Sequence, residues 1–583
     1  MTAKGTRPVR IANCSGFFGD RISAAREMVD PALLDESPVD VLTGDWLAEL
    51  TLLILHKQRA RNSELGYAST FLTQMEQVLG TCKDRGIKVV TNAGGLNPRG
   101  CAERVRDIGM RLGLDVNVAH LEGDDLMPRI DGLRPHLNHL DTGEPLTREP
   151  VSANAYLGGW GVAIALNAGA DVVVCPRITD AALVVGPAAW WWDWALDDWD
   201  ALAGAVVAGH IIECGAQTVG GNYSFFTQIP DRSKPTGFPI AEVERDGSCV
   251  ITKHPGSGGA VEVGTVTAQL LYEIGPPAYA NPDVISHFDT MSVTQDGRDR
   301  VRVSGTAGSP APPTTKVCIN LDGGFRNRVT FVLTGLDQRE KGEWARDSLF
   351  ARLGGEEAFD SVDVRLVEAA PDAQGQEAAS GRLHVTVKSR DDRTVGRAFS
   401  AAAVELALAN YPGFFVTAPP SEAQSFGVYW PALVPNDEVD PVVVLHDGSR
   451  IPVPRPPSGS AADESPRERM LVMVDPVGPA KGEPLGLHFG ARSGDKGGNA
   501  NVGVWATSPG GYAWLRDNLT ADAMLRLMPE LVELGVRVDR YELANLLALN
   551  FVLVGYLGEG VASNSSFDSQ AKGLGEYLRS RRW

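Results

Sequence analysis

Lys88-Val89-Val90-Thr91-Asn92-Ala93-Gly94-Gly95-Leu96-Asn97-Pro98-Arg99-Gly100 runs from a β-branched segment into a double glycine, an Asn-Pro pair and, from Cys101 to Leu112, a helical pattern. Two glycines at a strand's end let the backbone turn sharply and approach a ligand closely. The helix that follows points its free N–H groups back at the same spot. The same grammar recurs on either side of it. Val9–Cys14 ends in a loop holding Gly16, Gly19, Asp20 and Arg21, and Val39–Thr43 ends at Gly44-Asp45. Leu114–Ala119 ends near Glu122-Gly123-Asp124-Asp125, and Ala170–Cys175 at Pro176-Arg177-Ile178-Thr179-Asp180. Five strand–loop–helix units predict an α/β domain with a mostly parallel, doubly wound-like sheet covered on both faces.

In such sheets the loops after the carboxyl ends of the strands form the ligand crevice. That places Asp45, Asn92, Arg177 and Asp180 around one space, with Gly16, Gly19, Gly94 and Gly95 as candidate backbone binding positions. An aspartate before a helix is more often an N-cap than a catalyst. Capping accounts for the carboxylates but not for Asn92 or Arg177.

At 583 residues the chain exceeds what one hydrophobic core usually organises, so more than one domain is expected. A net charge of −19 argues against nucleic acid or an anionic membrane surface as the main partner. The seven cysteines are scattered without a C-x-x-C pair, which predicts reduced thiols and neither a disulfide framework nor a zinc site. Met1–Arg10 has no signal-peptide pattern, and no apolar stretch reaches the roughly 20 residues of a spanning helix. A cytoplasmic protein with no membrane insertion is expected.

Further along, Trp190–Trp194 reads as an aromatic cluster that packs an interface. His210, Glu213 and Cys214 stand at i, i+3 and i+4, so a helix puts them on one face. The bland reading is a buried histidine beside an inert cysteine. The sharper one is a base or nucleophile pair, with His210 and Glu213 as catalytic candidates. No H-x-x-x-H or H-E-x-x-H spacing points to metal, so none is assigned. Alternation around Asp246-Gly247 predicts a hairpin, and Lys253-His254-Pro255-Gly256-Ser257-Gly258-Gly259 is a glycine-rich turn.

The organisation read from these patterns is a parallel α/β part over 1–235, a mixed α+β part over 236–453, a linker at 454–483 and a small α+β domain over 484–583. In the last, Arg492-Ser493-Gly494-Asp495-Lys496-Gly497-Gly498 lacks the P-loop spacing and reads as a charged loop. A backbone nest there would make Ser493 and Lys496 candidate cofactor-binding residues. Leu543–Leu549 reads as helical.

KVVTNAGGLNPRGCAERV (88–105), AGADVVVCPRITDAALVVGP (168–187), AGHIIECGAQTVGGNYS (208–224) and KHPGSGGAVEVGTVTAQLLYEIG (253–275) resemble the N-terminal domain of the AtuA-type acyclic terpene utilisation family. RSGDKGGNANVGVWA (492–506) and GEGVASNSSFDSQAKGLGEYLRSR (558–581) resemble the ferredoxin-like domain that follows it. The resemblance implies a place in acyclic terpene or branched acyl-CoA breakdown, with a coenzyme A thioester as substrate. It supplies no catalytic residues.

Lysis of a 3-hydroxyacyl-CoA needs a base, His210 or Asp45, and oxyanion donors such as Asn92, Arg177 and the Gly94 and Gly95 amides. Hydration would pair carboxylates such as Asp45 and Asp180 with the same donors. The alternative is a non-catalytic acyl-CoA-binding or scaffolding subunit linked to a carboxylase pathway. A homo-oligomer is expected in either case. No G-x-G-x-x-G follows the first strand, which argues against a nucleotide-binding oxidoreductase.

Overall fold

The computed structural model describes residues 4–459 and 474–583. They form two compact units, one of residues 4–320, 429–561 and 570–583 and one of 321–428 and 562–569. Part of the linker stretch, 460–473, lies outside the described residues. Its flanks are tied down, with Ser458 bridged to Ala311 and the Val477 N–H bonded to the Gly510 carbonyl at 2.9 Å.

The five expected strands are present as Val9–Asn13, Val41–Gly44, Lys88–Thr91, Val118–Glu122 and Val172–Val174. They lie side by side and parallel, with Val172–Val174 between Lys88–Thr91 and Val118–Glu122. Their β-branched residues are buried because helices cover both faces. Phe71, Met75 and Val78 of the helix Ser69–Arg85 and Val105 and Ile108 of Pro98–Leu112 pack one side. The apolar helices Ala182–Trp192 and Trp199–Ile212, buried nearly all round, lie against the sheet. Each fully buried valine contributes about 1.5–3 kcal/mol to that sandwich.

The sheet as a whole is not mostly parallel, which corrects the expectation. Among the described residues it has 11 strands, six of which flank the parallel five. Pro239–Val243, Cys249–Lys253, Val301–Ser304 and Ser292–Gln295 extend one side, and Val442–Val444 and Arg450–Pro452 the other, all by antiparallel pairing. The Asp246-Gly247 hairpin is one of these additions. A parallel sheet needs crossover helices on every step, whereas short antiparallel strands add to an edge through turns alone. Among the tryptophans, the Trp191, Trp192 and Trp194 indole N–H groups bond the carbonyls of Arg7, Val243 and Arg245, so the cluster serves packing within the chain.

Residues 484–583 form a four-stranded antiparallel sheet in the order Phe489–Lys496, Asn499–Ala506, Ala548–Val554, Arg537–Leu543. Helices Pro509–Asn518, Ala521–Leu527 and Leu574–Ser580 pack on it through Leu515, Met524 and Leu578. Two expectations fail here. The charged Arg492–Asn499 motif is a hairpin with its turn at Gly497-Gly498, not a loop. Leu543–Leu549 is helical only in the one-turn 3-10 segment Ala544–Leu546, and its ends belong to the strands on either side. The smaller unit pairs Ser361–Val367 with Ser380–Ser389, and its core gathers Phe331, Leu349, Phe350 and Phe399.

Candidate functional site

Asp45 follows the second strand and Asn92 the third, and the two meet. The Asn92 amide donates to Asp45 Oδ1, and its Oδ1 accepts the Trp46 N–H at 2.8 Å. Asp45 Oδ1 also takes the Leu47 N–H at 2.9 Å. Asn92 is therefore occupied in holding the Asp45 loop, with both halves of its amide engaged. The Gly94 N–H is likewise bonded to the Cys175 carbonyl at 3.1 Å and the Gly95 N–H to the Asn92 carbonyl at 3.2 Å, so neither amide points at a ligand. Asn92→Ala is expected to strand the buried Trp46 N–H and the Asp45 carboxyl, costing about 2–3 kcal/mol. A urea midpoint that stays put would contradict that reading.

Arg177 leaves the last parallel strand buried, with 3% of its surface exposed. Its guanidinium donates to Asp180 at 2.7 Å and to the Ile178 carbonyl at 3.0 Å, and lies 4.1 Å over the Tyr156 ring. Its Nε is buried without a partner. His210 and Glu213 sit at the end of the helix Trp199–Ile212, with His210 Nδ1 3.4 Å from a Glu213 oxygen. Gly16 is where the loop after the first strand crosses that helix end. A Cβ there would fall 2.5 Å from the Cys214 carbonyl carbon. Gly19 belongs to the same tight loop, in which Asp20 accepts the Gly16 N–H.

The electrostatics join these groups into one system. Burial pushes the Asp45 carboxyl well above its ordinary range, and the Asp180 charge adds to it against Arg177 and Asn92. Glu213 is raised well above its range in the same way, by burial first and then Asp180. Burial brings His210 down to about 4, so its imidazole is neutral, enclosed by Tyr279 and Phe288. Burial and the Glu213 charge push the Cys214 thiol up, which removes it as a nucleophile. A second wall comes from Glu273 and from Asp495 and Lys496 of the glycine-rich 492–498 stretch. Glu273 is brought up to about 7 by burial and by Asp495. Asp495 pairs with Lys572 at 3.4 Å, and Lys496 Nζ reaches the Glu273 carbonyl at 3.0 Å. Burial, followed by Lys316, lowers Lys496 to about 8. At the entry to the helix Glu49–Arg61, Glu49 accepts the Tyr156 hydroxyl at 3.0 Å and faces Lys316 at 3.8 Å. The visible hint in the sequence was an acidic residue set in the apolar run Leu270-Leu271-Tyr272-Glu273-Ile274-Gly275.

Ser493 is engaged structurally. Its hydroxyl donates to the Ala571 carbonyl at 2.7 Å and accepts the Gly575 N–H at 2.8 Å. A separate cleft of about 1100 Å³ runs along Lys253–Gly259. Its cations are matched, with Arg10 and Arg300 on Glu242, and Lys253 and Arg298 on Asp299. Among the described residues no cluster of three or more metal-ligating side chains occurs, and no helix is long and apolar enough to cross a membrane.

What the arrangement offers is acid–base chemistry: carboxyls that burial makes weaker acids beside an ionic pair, with one buried guanidinium N–H left to donate. No curated protein matches the chain at a significant level. Residues 9–445 match the model of the acyclic terpene utilisation family protein AtuA, and residues 488–582 that of the AtuA ferredoxin-like domain. The chain belongs to the AtuA acyclic terpene utilisation family.

Proposed function

We propose that the protein is an enzyme that hydrates or dehydrates a branched acyl-CoA in acyclic terpene breakdown. The observation that carries this reading is that the buried Asp45 and Glu213 carboxyls, both raised well above their ordinary range, are set around the Arg177–Asp180 ion pair. Hydration of a 2,3-enoyl thioester needs a weak acid and an ionised carboxylate at once. In the proposed step the Asp180 carboxylate takes a proton from water as its oxygen bonds to C3. A carboxyl of Asp45 or Glu213 delivers a proton to C2, and Arg177 Nε donates to the thioester oxygen as enolate charge develops. Asp45 has Oδ2 free to carry its proton, since Oδ1 accepts two N–H groups.

Cleavage of a 3-hydroxyacyl-CoA is less well supported. Its base would be Asp45, whose proton burial holds more tightly, or His210, which is wholly enclosed. A purely scaffolding role would leave unexplained why the ferredoxin-like domain carries Asp495 and Lys496 into the same polar space. The test is a panel of branched enoyl-CoAs and 3-hydroxyacyl-CoAs read by mass spectrometry. Gain or loss of one water is expected, and Asp45→Asn should slow it by about 10²–10⁴-fold. A panel unchanged by the protein, or an Asp45→Asn variant as fast as the parent, would sink the proposal.

A further inference from the structure

The helix Val263–Leu270 runs into the turn Leu271-Tyr272-Glu273-Ile274-Gly275, whose backbone is held by side chains from far along the chain. Asn501 Oδ1 accepts the Glu273 N–H at 2.8 Å, and Lys496 Nζ donates to the Glu273 carbonyl at 3.0 Å. Asn550 Nδ2 donates to the carbonyls of Ile274 and Gly275 at 3.1 and 2.8 Å, and Asn501 in turn donates to Asn550. Both asparagines are fully buried, on neighbouring strands of the C-terminal sheet. The Tyr272 ring rests on Gly494, where a Cβ would lie 2.2 Å from it, and the Arg492 guanidinium covers it at 4.2 Å.

Inside this clamp Glu273 has φ +58, in the left-handed region. A plain turn would carry glycine or asparagine there. A glutamate is the worse structural choice twice over, for its backbone and for a carboxyl buried near Asp495. Strain of this kind persists where the surroundings over-determine it, and it gathers at functional sites. The Glu273 charge is felt by His210, Cys214 and Tyr279, and Glu273 feels Glu213 and Asp495, so its carboxyl shares the space of the site.

We infer that Glu273 is an acid–base residue of this site, and that the ferredoxin-like domain holds it there through the positioning residues Lys496, Asn501 and Asn550. The inference rests on the hydratase reading. It gives the second domain a specific role. That domain completes the site and fixes the orientation of one carboxyl, where a module for association would do neither.

Full-length Glu273→Gln, Glu273→Gly and Glu273→Asp test it with two readouts. Glu273→Gly is expected to raise the melting temperature, because glycine takes this φ without strain, while turnover falls by about 10²-fold. Glu273→Gln should keep the melting temperature and lose turnover equally, and Glu273→Asp should restore part of it. Asn501→Ala should lower kcat by about tenfold and move the pH profile of kcat/KM, which a merely structural asparagine leaves in place. A wild type active on the panel with an equally active Glu273→Gln would overturn the inference alone. A wild type inactive on every acyl-CoA would overturn the hydratase reading and this inference with it.

Discussion

Arg177→Met should cost roughly 3–5 kcal/mol of folding stability, the range for removing one partner of a buried ion pair. Arg177 is the cation at the centre of the carboxyl group, lowering Asp45, Glu213 and Glu49 while it binds Asp180 directly. Without it Asp180 faces Asp45 and Glu213 uncompensated. The loss should fall near the lower bound, because the Asp180 side chain keeps 28% of its exposure and can turn to water. Arg177→Lys should recover only part, since an ammonium lacks the planar guanidinium that lies over the Tyr156 ring. Urea unfolding measures both. A methionine variant within about 0.5 kcal/mol of the parent would show that the pair bears no stability.

The second large effect is on pH. Asp124 and Glu273 are both raised to about 7 by burial, and Asp45 and Glu213 lie well above their ordinary range. An acid whose pKa is raised by folding binds its proton more tightly in the native state. Its stabilising effect is complete below the unfolded pKa near 4 and is lost as pH rises through the folded value. Below about 6.5 the buried histidines oppose this, His210 above all, because unfolding lets them take up protons. Above 8 the lowered Lys496 begins to act in the opposite sense. From about pH 7 to 8, unfolding free energy should therefore fall as pH rises. Asp124→Asn should flatten that slope, since it removes a raised carboxyl while an amide can still accept the Arg177 backbone N–H. Stability that is level or rising from pH 7 to 8 would refute the upward shift of these carboxyls.

The parallel half of the fold was legible because Val41–Gly44, Lys88–Thr91 and Val172–Val174 are short β-branched runs each followed by a polar turn. Their burial on both faces follows from that composition alone. The antiparallel additions were not legible as members of the same sheet. Pairing Val442–Val444 with Val118–Glu122 joins residues more than 300 positions apart, and no local pattern encodes that register. Arg492–Asn499 misled for another reason. Its glycines and charges have loop composition, yet Gly494 is required by the Tyr272 ring and Lys496 by a backbone carbonyl. Within the site, Asp45, Arg177, Asp180 and Glu213 are brought together by the strand and helix ends that carry them. Asn92 is there too, but its partner, and hence its role, depended on tertiary geometry. Glu273 had the weakest signal, because its backbone conformation is imposed by residues in the last hundred of the chain.

That clamp has a consequence for how the molecule is made. The Glu273 N–H finds its acceptor 228 residues later, and the Ile274 carbonyl its donor 276 residues later. At a translation rate of about 5–20 residues per second, the Tyr272–Gly275 turn waits roughly 10–50 s for its partners to be synthesised. The parallel sheet can close long before then. This protein thus emerges from the ribosome with its candidate site unfinished, and the last strands to appear are the ones that complete it.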